Sequence, residues 1–587
     1  MDGLTLATLN TLPATEAVER LAGLYEHSPW VVERALKDRP FRSLAQFKAA
    51  LARAVRSAPR DAQLALVRAH PELAGRAAID GKLTAESTGE QHRAGLTRCT
   101  AEEFARLHEL NAAYNARFGW PFILAVRGPA GTGLTPPQIV AEFEERLAQP
   151  AAIELGECLR QIDRIAELRL NDLLDAHPRL GLTVLDLADQ LARHSDAPDN
   201  LTLMWLTDAH RAAGRQIAAW MRDFGFDAVR EDAVGNIVGR YRARIDGAPV
   251  LLTGSHFDTV RNAGKYDGRL GFLAPMVAVR ELAAAGKRLP FDIDVIAFAD
   301  EEGVRFGSTF LGSSAVAGKF DARVLDARDA SGITARAALA AAGLDAERIG
   351  DAAYAVHSAG QPIKGFVEVH IEQGPVLLDH DLPVGVVTSI NGSVRYRLSF
   401  HGLASHAGTT PMGTRRDAAL AAAEFALAVE KRCASELHLV GTVGMLEVPG
   451  GSINVVPGAC DCTLDVRAPG DAQRDAAVAD LLAAAEEIAA RRHVTLDKQL
   501  LLRAAAAPCD LAWQDRWAAA VDRLGLPAFR MPSGAGHDAM RMADLCPQAM
   551  LFIRCGHNGI SHHPLETLTA DDAELAVALF LDLLDHC

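Results

Sequence analysis

The sequence predicts a multidomain protein: an all-α helical bundle, followed by an α/β domain that an α+β insert interrupts. Three observations carry this. Apolar residues recur at helical intervals, with no strand alternation, over residues 1–175. From about residue 182, β-branched apolar runs alternate with helical patterns, as in a mostly parallel sheet covered on both faces. Over residues 387–502, alternating segments such as SVRYRLSF (393–400) replace those runs and predict antiparallel strands. At 587 residues the chain also exceeds one ordinary core.

In the first region, Ser28-Pro29 reads as a helix cap with a first-turn proline. Ser43 with Gln46, and Thr100 with Glu103, have capping-box spacing. Leu44, Phe47, Leu51 and Val55 mark one helical face. Gly119 is placed to end a helix, and a last helix is expected over about 153–174. The Pro- and Gly-containing stretch AHPRLG (176–181) marks the domain boundary. It lacks the Gly/Ser repeats of a long flexible tether.

The second region, 182–386 resuming at 503–587, opens with helices, including one over about 208–224, and a strand pair around 234–239. Its organising stretch is VLLTGSHFDTVRNAGKYDGRLG (250–271): a short buried strand, then His256 and Asp258, then Asp267 between turns. The run DIDVIAFA (292–299) ends in Asp300, Glu301 and Glu302. FVEVHIEQG (366–374) ends around His370, Glu372 and Gln373, and LFI (551–553) leads to SHHP (561–564). Ligands gather beyond the carboxyl ends of strands in open α/β sheets. A single His-x-Asp is most often a hydrogen-bonded loop pair. Imidazoles and carboxylates at several strand ends point instead to divalent metal. The insert holds two Ala-rich helices, about 416–432 and 471–491. Cys460 and Cys462 share one face of a strand there and read as packing residues.

Composition narrows the partners. With 49% hydrophobic and 23% charged residues this is an ordinary globular chain. A formal charge of −15 argues against nucleic acid or an anionic membrane. No apolar run is long enough to span a bilayer, and the N-terminus lacks a basic segment before an apolar one. Nine scattered cysteines without a Cys-x-x-Cys pair predict reduced thiols and a cytoplasmic setting.

The motifs GSHFDTV, YDG, DEEG, HIEQGP, GHDA and SHHP, in this order, resemble the M20-type binuclear amidohydrolases, in their hydantoinase/carbamoylase branch that includes allantoate amidohydrolase. The resemblance covers about 185 to the C-terminus. It implies two divalent ions, zinc or manganese, one held by His256 and His370 and the other by Glu302 and His562, with Asp267 between them. His563 competes for the last position. Asp258 would orient His256, and Glu301 would be the general base. Asn454 and Arg467 would grip a substrate carboxylate, with Gln373 and His537 contacting ureido and carboxylate groups. His406 would stabilise an oxyanion from a lid and dimerisation domain, 387–502, which implies a homodimer. Without the motif, Asn454 reads as a turn residue and Arg467 as a surface ion pair.

Within the first region, AHPELAG (69–75), SxxEQxxAGL (87–96), FGWPFILAVRG (118–128) and RIAELRLNDLL (164–174) resemble 2-oxo-4-hydroxy-4-carboxy-5-ureidoimidazoline (OHCU) decarboxylase, which needs no cofactor. The resemblance makes His70 the acid/base group, Glu90 its carboxylate partner and Arg127 a clamp for substrate oxygen, with Ser87 also contacting substrate. Singly these are ordinary: a histidine at a helix C-terminus, a solvated helix face, an ion pair. The two resemblances together imply OHCU decarboxylation to S-allantoin and hydrolysis of allantoate to ureidoglycine, ammonia and carbon dioxide. Alternatives are an N-carbamoyl-L-amino-acid or ureidoglycolate-type hydrolase, or a first domain that is a non-catalytic assembly module.

Overall fold

A computed structural model describes residues 4–73, 100–357 and 360–587. Ser87 and Glu90 lie outside the described residues. The described chain packs around three apolar clusters: one of the helical domain, one of the large sheet and one of the insert.

Helices of the first domain include α1 (Arg60–Ala69), α2 (Ala101–Phe118) and α3 (Ala151–Leu174). The capping box starts α2, with Glu103 N donating to Thr100 Oγ1 at 3.2 Å and Thr100 N to Glu103 Oε2 at 2.8 Å. Gly119, at φ +75°, ends it in the left-handed conformation. Ser28 departs from expectation. Its ψ of 62° turns the hydroxyl away from the helix N-terminus, and it makes no capping bond. The run Phe122–Val126 is buried and extended without joining a sheet. Gln161 accepts from Ala125 N at 2.9 Å and Arg146 donates to Ile123 O at 2.7 Å, so side chains replace ladder partners.

Helix α4 (Arg179–Leu191) opens the second domain. The central strands β1 (Val250–His256) and β2 (Asp292–Phe298) are buried at every residue, as expected where helices cover both faces. Helix α5 (Leu270–Ala284) packs over β1, and β3 (Ile363–Ile371) and β4 (Val384–Ile390) follow. The insert contributes β5 (Gly392–His401), α6 (Ala418–Cys433), β6 (Ala459–Ala468) and α7 (Asp471–Arg491). Strand β6 alternates buried and half-buried residues, because only one face of this antiparallel sheet is covered. Cys460 and Cys462 are buried there together. The chain then returns through β7 (Gln548–Ile553) to α8 (Ala570–Asp585).

The large sheet has nine strands in the order Ala228–Glu231, Ile237–Tyr241, β2, β1, β3, β7, β4 and Ala507–Pro508, with Arg530–Ser533 also on β4. Its centre is parallel and its flanks antiparallel, so the sheet is more mixed than the pattern predicts. The expected strand pair at 234–239 is one strand and the turn before it, since Ile237 pairs with Glu231 across that turn. Strand β4 belongs to the large sheet, which moves the start of the insert past residue 390. Its apolar sequence, VGVVTSI, is equally compatible with either sheet. No helix among the described residues is long and apolar enough to cross a membrane.

His210 is buried beneath β2, its Nε2 2.7 Å from Ala299 O and its ring 4.4 Å from Phe257. Burial pushes its pKa down to about 4. The unfolded chain therefore takes up this proton below about pH 6.5, whereas the folded chain takes it up only near pH 4. Stability from this group is present above pH 6.5 and is lost as pH falls towards 4. Wild type should lose about 3 kcal/mol more than His210→Asn between pH 7 and 4, measured by denaturant unfolding. Parallel pH profiles would refute the assignment.

Candidate active site

The carboxyl ends of β1, β2 and β3 and the loop after β7 converge on Asp267. Gly268, at φ +67°, makes the turn that aims it, and an added Cβ there would collide with the His256 imidazole. Asp267 Oδ1 lies 3.6 Å from His256 Nε2 and 3.4 Å from His370 Nε2. Its Oδ2 lies 3.1 Å from His562 Nε2, which is 3.4 Å from Glu302 Oε1. One carboxylate oxygen thus faces each of two ligand pairs. Donors about 2.0–2.1 Å from a tetrahedral ion stand about 3.3–3.4 Å from one another, so these separations suit two metal positions.

Ring orientation agrees. His370 Nδ1 is 2.8 Å from Ile371 O and His256 Nδ1 is 3.1 Å from Asp258 O, which turns both Nε2 atoms towards Asp267, with Gly268 N also 3.1 Å from His370 Nε2. The Asp258 carboxylate accepts from Glu301 N at 3.0 Å and Glu302 N at 3.2 Å. One aspartate therefore orients the histidine at one metal position and the loop that carries the acid of the other.

The charge balance calls for cations. Burial, then Asp267, raises Glu302 to about 7; burial, then Glu302, raises Glu301 well above the usual carboxylate range. Although burial opposes it, hydrogen bonds from His256, His370 and His562 hold Asp267 well below that range. His562 is raised to about 9, chiefly by its hydrogen bond to Asp267. Protonated imidazoles are one source of the positive charge that the buried carboxylates require. Divalent ions would supply it instead and release those protons. Two further groupings, Glu368/His370/His537 and His256/Glu301/Glu302, share members with the two around Asp267. The His370 ring has a single nitrogen to offer, so the first of these cannot fill independently.

The other expected residues lie at varying distances from this centre. Gln373 Nε2 donates to Asp267 Oδ2 at 2.7 Å, and its buried Oε1 has no partner among the described residues. His537 is buried behind the cluster, its Nε2 2.8 Å from Ser533 Oγ and its ring 4.5 Å from His370. His406 and Asn454 are exposed on a two-stranded ribbon of the insert, where Val455 pairs with His406. Arg467 pairs with Asp465 at 3.0 Å and donates to Gly534 O at 3.0 Å, joining the insert to the loop that carries His537. His563 turns away, its Nδ1 accepting from Leu565 N at 3.2 Å. Glu372, which sequence groups with the metal-type residues, caps Val376 N and Leu377 N at 2.7 and 2.8 Å and leaves the cluster. It lies just past the end of β3, so strand alternation no longer holds it on the face of His370.

Glu566 escapes sequence reasoning. Its Oε1 accepts from Tyr266 N at 2.7 Å and Asp267 N at 3.1 Å, holding Asp267 by its backbone. Ser561 Oγ lies between it and Asp267, 2.7 Å from Glu566 Oε2 and 2.9 Å from Asp267 Oδ2. A glutamate five residues beyond a serine carries no local sign of this role.

A separate pocket lies in the helical domain, lined by His70, Pro71, Arg127, Ile165, Leu168 and Arg169 among others. His70 ends α1, with Nδ1 3.0 Å from Leu66 O. Burial lowers its pKa to about 4, so its buried Nε2 is an available base. Arg127 forks onto Asp172 at 2.8 and 3.2 Å. Arg169, to which sequence assigned no role, donates to Gly23 O at 2.9 Å and Glu26 Oε1 at 3.1 Å. Two guanidinium groups near one neutral imidazole suit an anionic substrate.

A carboxylate set between a pair of histidines and a His/Glu pair at the mouth of an α/β sheet is an arrangement that could hold metal ions, as hydrolases of this class do. The chain belongs to peptidase family M20/M25/M40, which matches residues 252–586, and it carries an OHCU decarboxylase domain matching residues 10–171. Among similar proteins, an N-carbamoyl-L-amino acid amidohydrolase of Geobacillus stearothermophilus is 40% identical, over 63% of this chain and 90% of its own. A probable allantoate deiminase of Oryza sativa subsp. japonica is 39% identical, over 68% of this chain and 87% of its own. The crystal structure of a hydantoinase/carbamoylase-family amidase from Burkholderia multivorans superposes with TM-score 0.64 at 32% identity, covering 69% of this chain and 97% of that one.

Proposed function

We propose that the chain is a bifunctional enzyme of purine breakdown that decarboxylates OHCU to S-allantoin and hydrolyses allantoate to ureidoglycine, ammonia and carbon dioxide. The observation that carries the hydrolase half is the Asp267 carboxylate, with one oxygen towards His256 and His370 and the other towards Glu302 and His562. Those five residues would hold two divalent ions, zinc or manganese, which when bound polarise the ureido carbonyl and acidify water. Glu301 takes up a proton and delivers it to the leaving nitrogen. Arg467 and Asn454 bind the substrate carboxylate, Gln373 and His537 its remaining polar groups, and His406 a developing oxyanion. The insert acts as lid and dimer interface, so that His406 serves the partner subunit's site.

In the helical domain, His70 exchanges the proton, with Glu90 and Ser87 beside it, and Arg127 with Arg169 holds substrate anions. This half uses no metal. Chelation should therefore abolish ammonia release from allantoate and leave OHCU decarboxylation unchanged; equal loss of both would refute the division.

A second reading has direct support. The Geobacillus stearothermophilus relative is named for N-carbamoyl-L-amino acids, and such a hydrolase would use the same metal residues. The OHCU decarboxylase domain on the same chain favours allantoate. Turnover of allantoate beside N-carbamoyl amino acids and ureidoglycolate distinguishes them.

A further inference from the structure

The segment that closes the metal site is pinned to the helical domain at both ends. At its start, Arg160 Nη2 donates to Asn558 Oδ1 at 2.9 Å, and His557 Nε2 lies 2.9 Å from Glu145 Oε1. At its end, Asp571 in the first turn of α8 accepts from Lys48 Nζ at 2.5 Å and Asn171 Nδ2 at 2.8 Å, and pairs with Arg164. The Asp571 side chain is only 7% exposed. Ala570 N donates to Pro129 O at 3.0 Å, and Arg164 Nη2 donates to the same oxygen at 2.9 Å. Between the pins lie His562 and Ser561, both against Asp267 Oδ2, and Glu566, which holds Asp267 by its backbone.

The same helix serves the other pocket. Ile165, Leu168 and Arg169 of α3 line it, while Arg160, Arg164 and Asn171, four and seven residues apart, form the neighbouring stripe that meets residues 558–571. A domain that was merely tethered would not need a buried carboxylate shared by two cations. Glu167 also faces both cations, so removing Asp571 leaves Lys48 and Arg164 sharing one buried carboxylate where they had two, and the joint loosens at this pin.

We propose that the helical domain is the anchor that sets the His562 end of the metal site, with Arg160, Arg164 and Asp571 as positioning residues. This rests on the metal reading above. It makes the two halves of the chain one structural device, in which the domain suited to metal-free chemistry helps to define metal affinity in the other.

The test uses full-length protein and zinc affinity, read by competition with a chromophoric chelator well below the melting temperature. Asp571→Asn, Arg164→Met and Arg160→Ala should each weaken the binding of one of two zinc ions by about tenfold, the scale seen when groups supporting a metal ligand are lost. Arg164→Lys should recover most of that loss. Arg42→Ala serves as the control. It breaks another contact between the domains, to Asp522 at the end of the helix Leu511–Arg523, which carries no site residue, and should leave zinc affinity unchanged. If Asp571→Asn does not fold, Arg160→Ala, at the other pin, still decides. Two zinc ions held as tightly in all three variants as in wild type would overturn the anchor alone. A wild-type chain that binds no zinc would overturn the metal reading and the anchor with it.

Discussion

Glu301→Gln should retain both ions and lower allantoate hydrolysis by about 100- to 10,000-fold, the usual range for losing a positioned acid/base group. Glu301 stands beside Glu302, and its backbone N–H, like that of Glu302, is held by Asp258. The amide keeps that bond and nearly the same volume, so the loop that carries Glu302 stays in place. What disappears is a carboxylate that burial has made a strong proton acceptor. Metal content and turnover must therefore separate, as elemental analysis beside an ammonia assay will show. Loss of metal in step with activity would make Glu301 a ligand instead, a role for which it is also within reach. The same variant probes the dimer. Mixed with His406→Ala, it should regain activity if His406 crosses to the partner subunit, because one hybrid site then holds both intact groups. No recovery despite subunit exchange would place the histidine's action within its own chain.

Given OHCU alone, the protein should accumulate S-allantoin and release almost no ammonia until a separate ring-opening hydrolase is added. The first proposed reaction leaves a closed hydantoin ring, whereas the second proposed reaction acts on the opened acid. The two matched regions, 10–171 and 252–586, take up most of the chain, and no group of His, Cys, Asp or Glu able to hold a further metal ion stands between them among the described residues. Arg467 and Asn454 are proposed to hold a free carboxylate that the ring lacks. A site built to bond a polar group rejects an analogue without it by about 10,000-fold or more. Prompt ammonia without the added hydrolase would show that the second site opens the ring itself, or that its substrate is a different ureido compound.

How far the sequence reached varies with the range of the interactions involved. The strand ends at His256, Glu302 and His370 were legible because a buried β-branched run followed by turn residues is a local signal, and these residues lie within a few positions of it. The α3 helix and the capping of α2 were legible for the same reason. Ser28 failed because a cap depends on ψ as well as on residue type. The start of the insert failed because an apolar strand does not say which sheet it joins.

By itself the sequence determined the order of the two matched domains and which imidazoles and carboxylates stand at the strand ends. Only the tertiary structure decided that Asp267 presents one oxygen to each pair, that Glu566 holds it in place and that Glu372 turns aside to cap a helix. Only the tertiary structure, too, joined Asp571 to Lys48, Arg164 and Asn171. Hydrophobic periodicity is written along the chain and survives without a fold. The partners of a buried carboxylate are set by which distant segments the packed core brings within hydrogen-bond distance, and its low dielectric then makes those pairings obligatory.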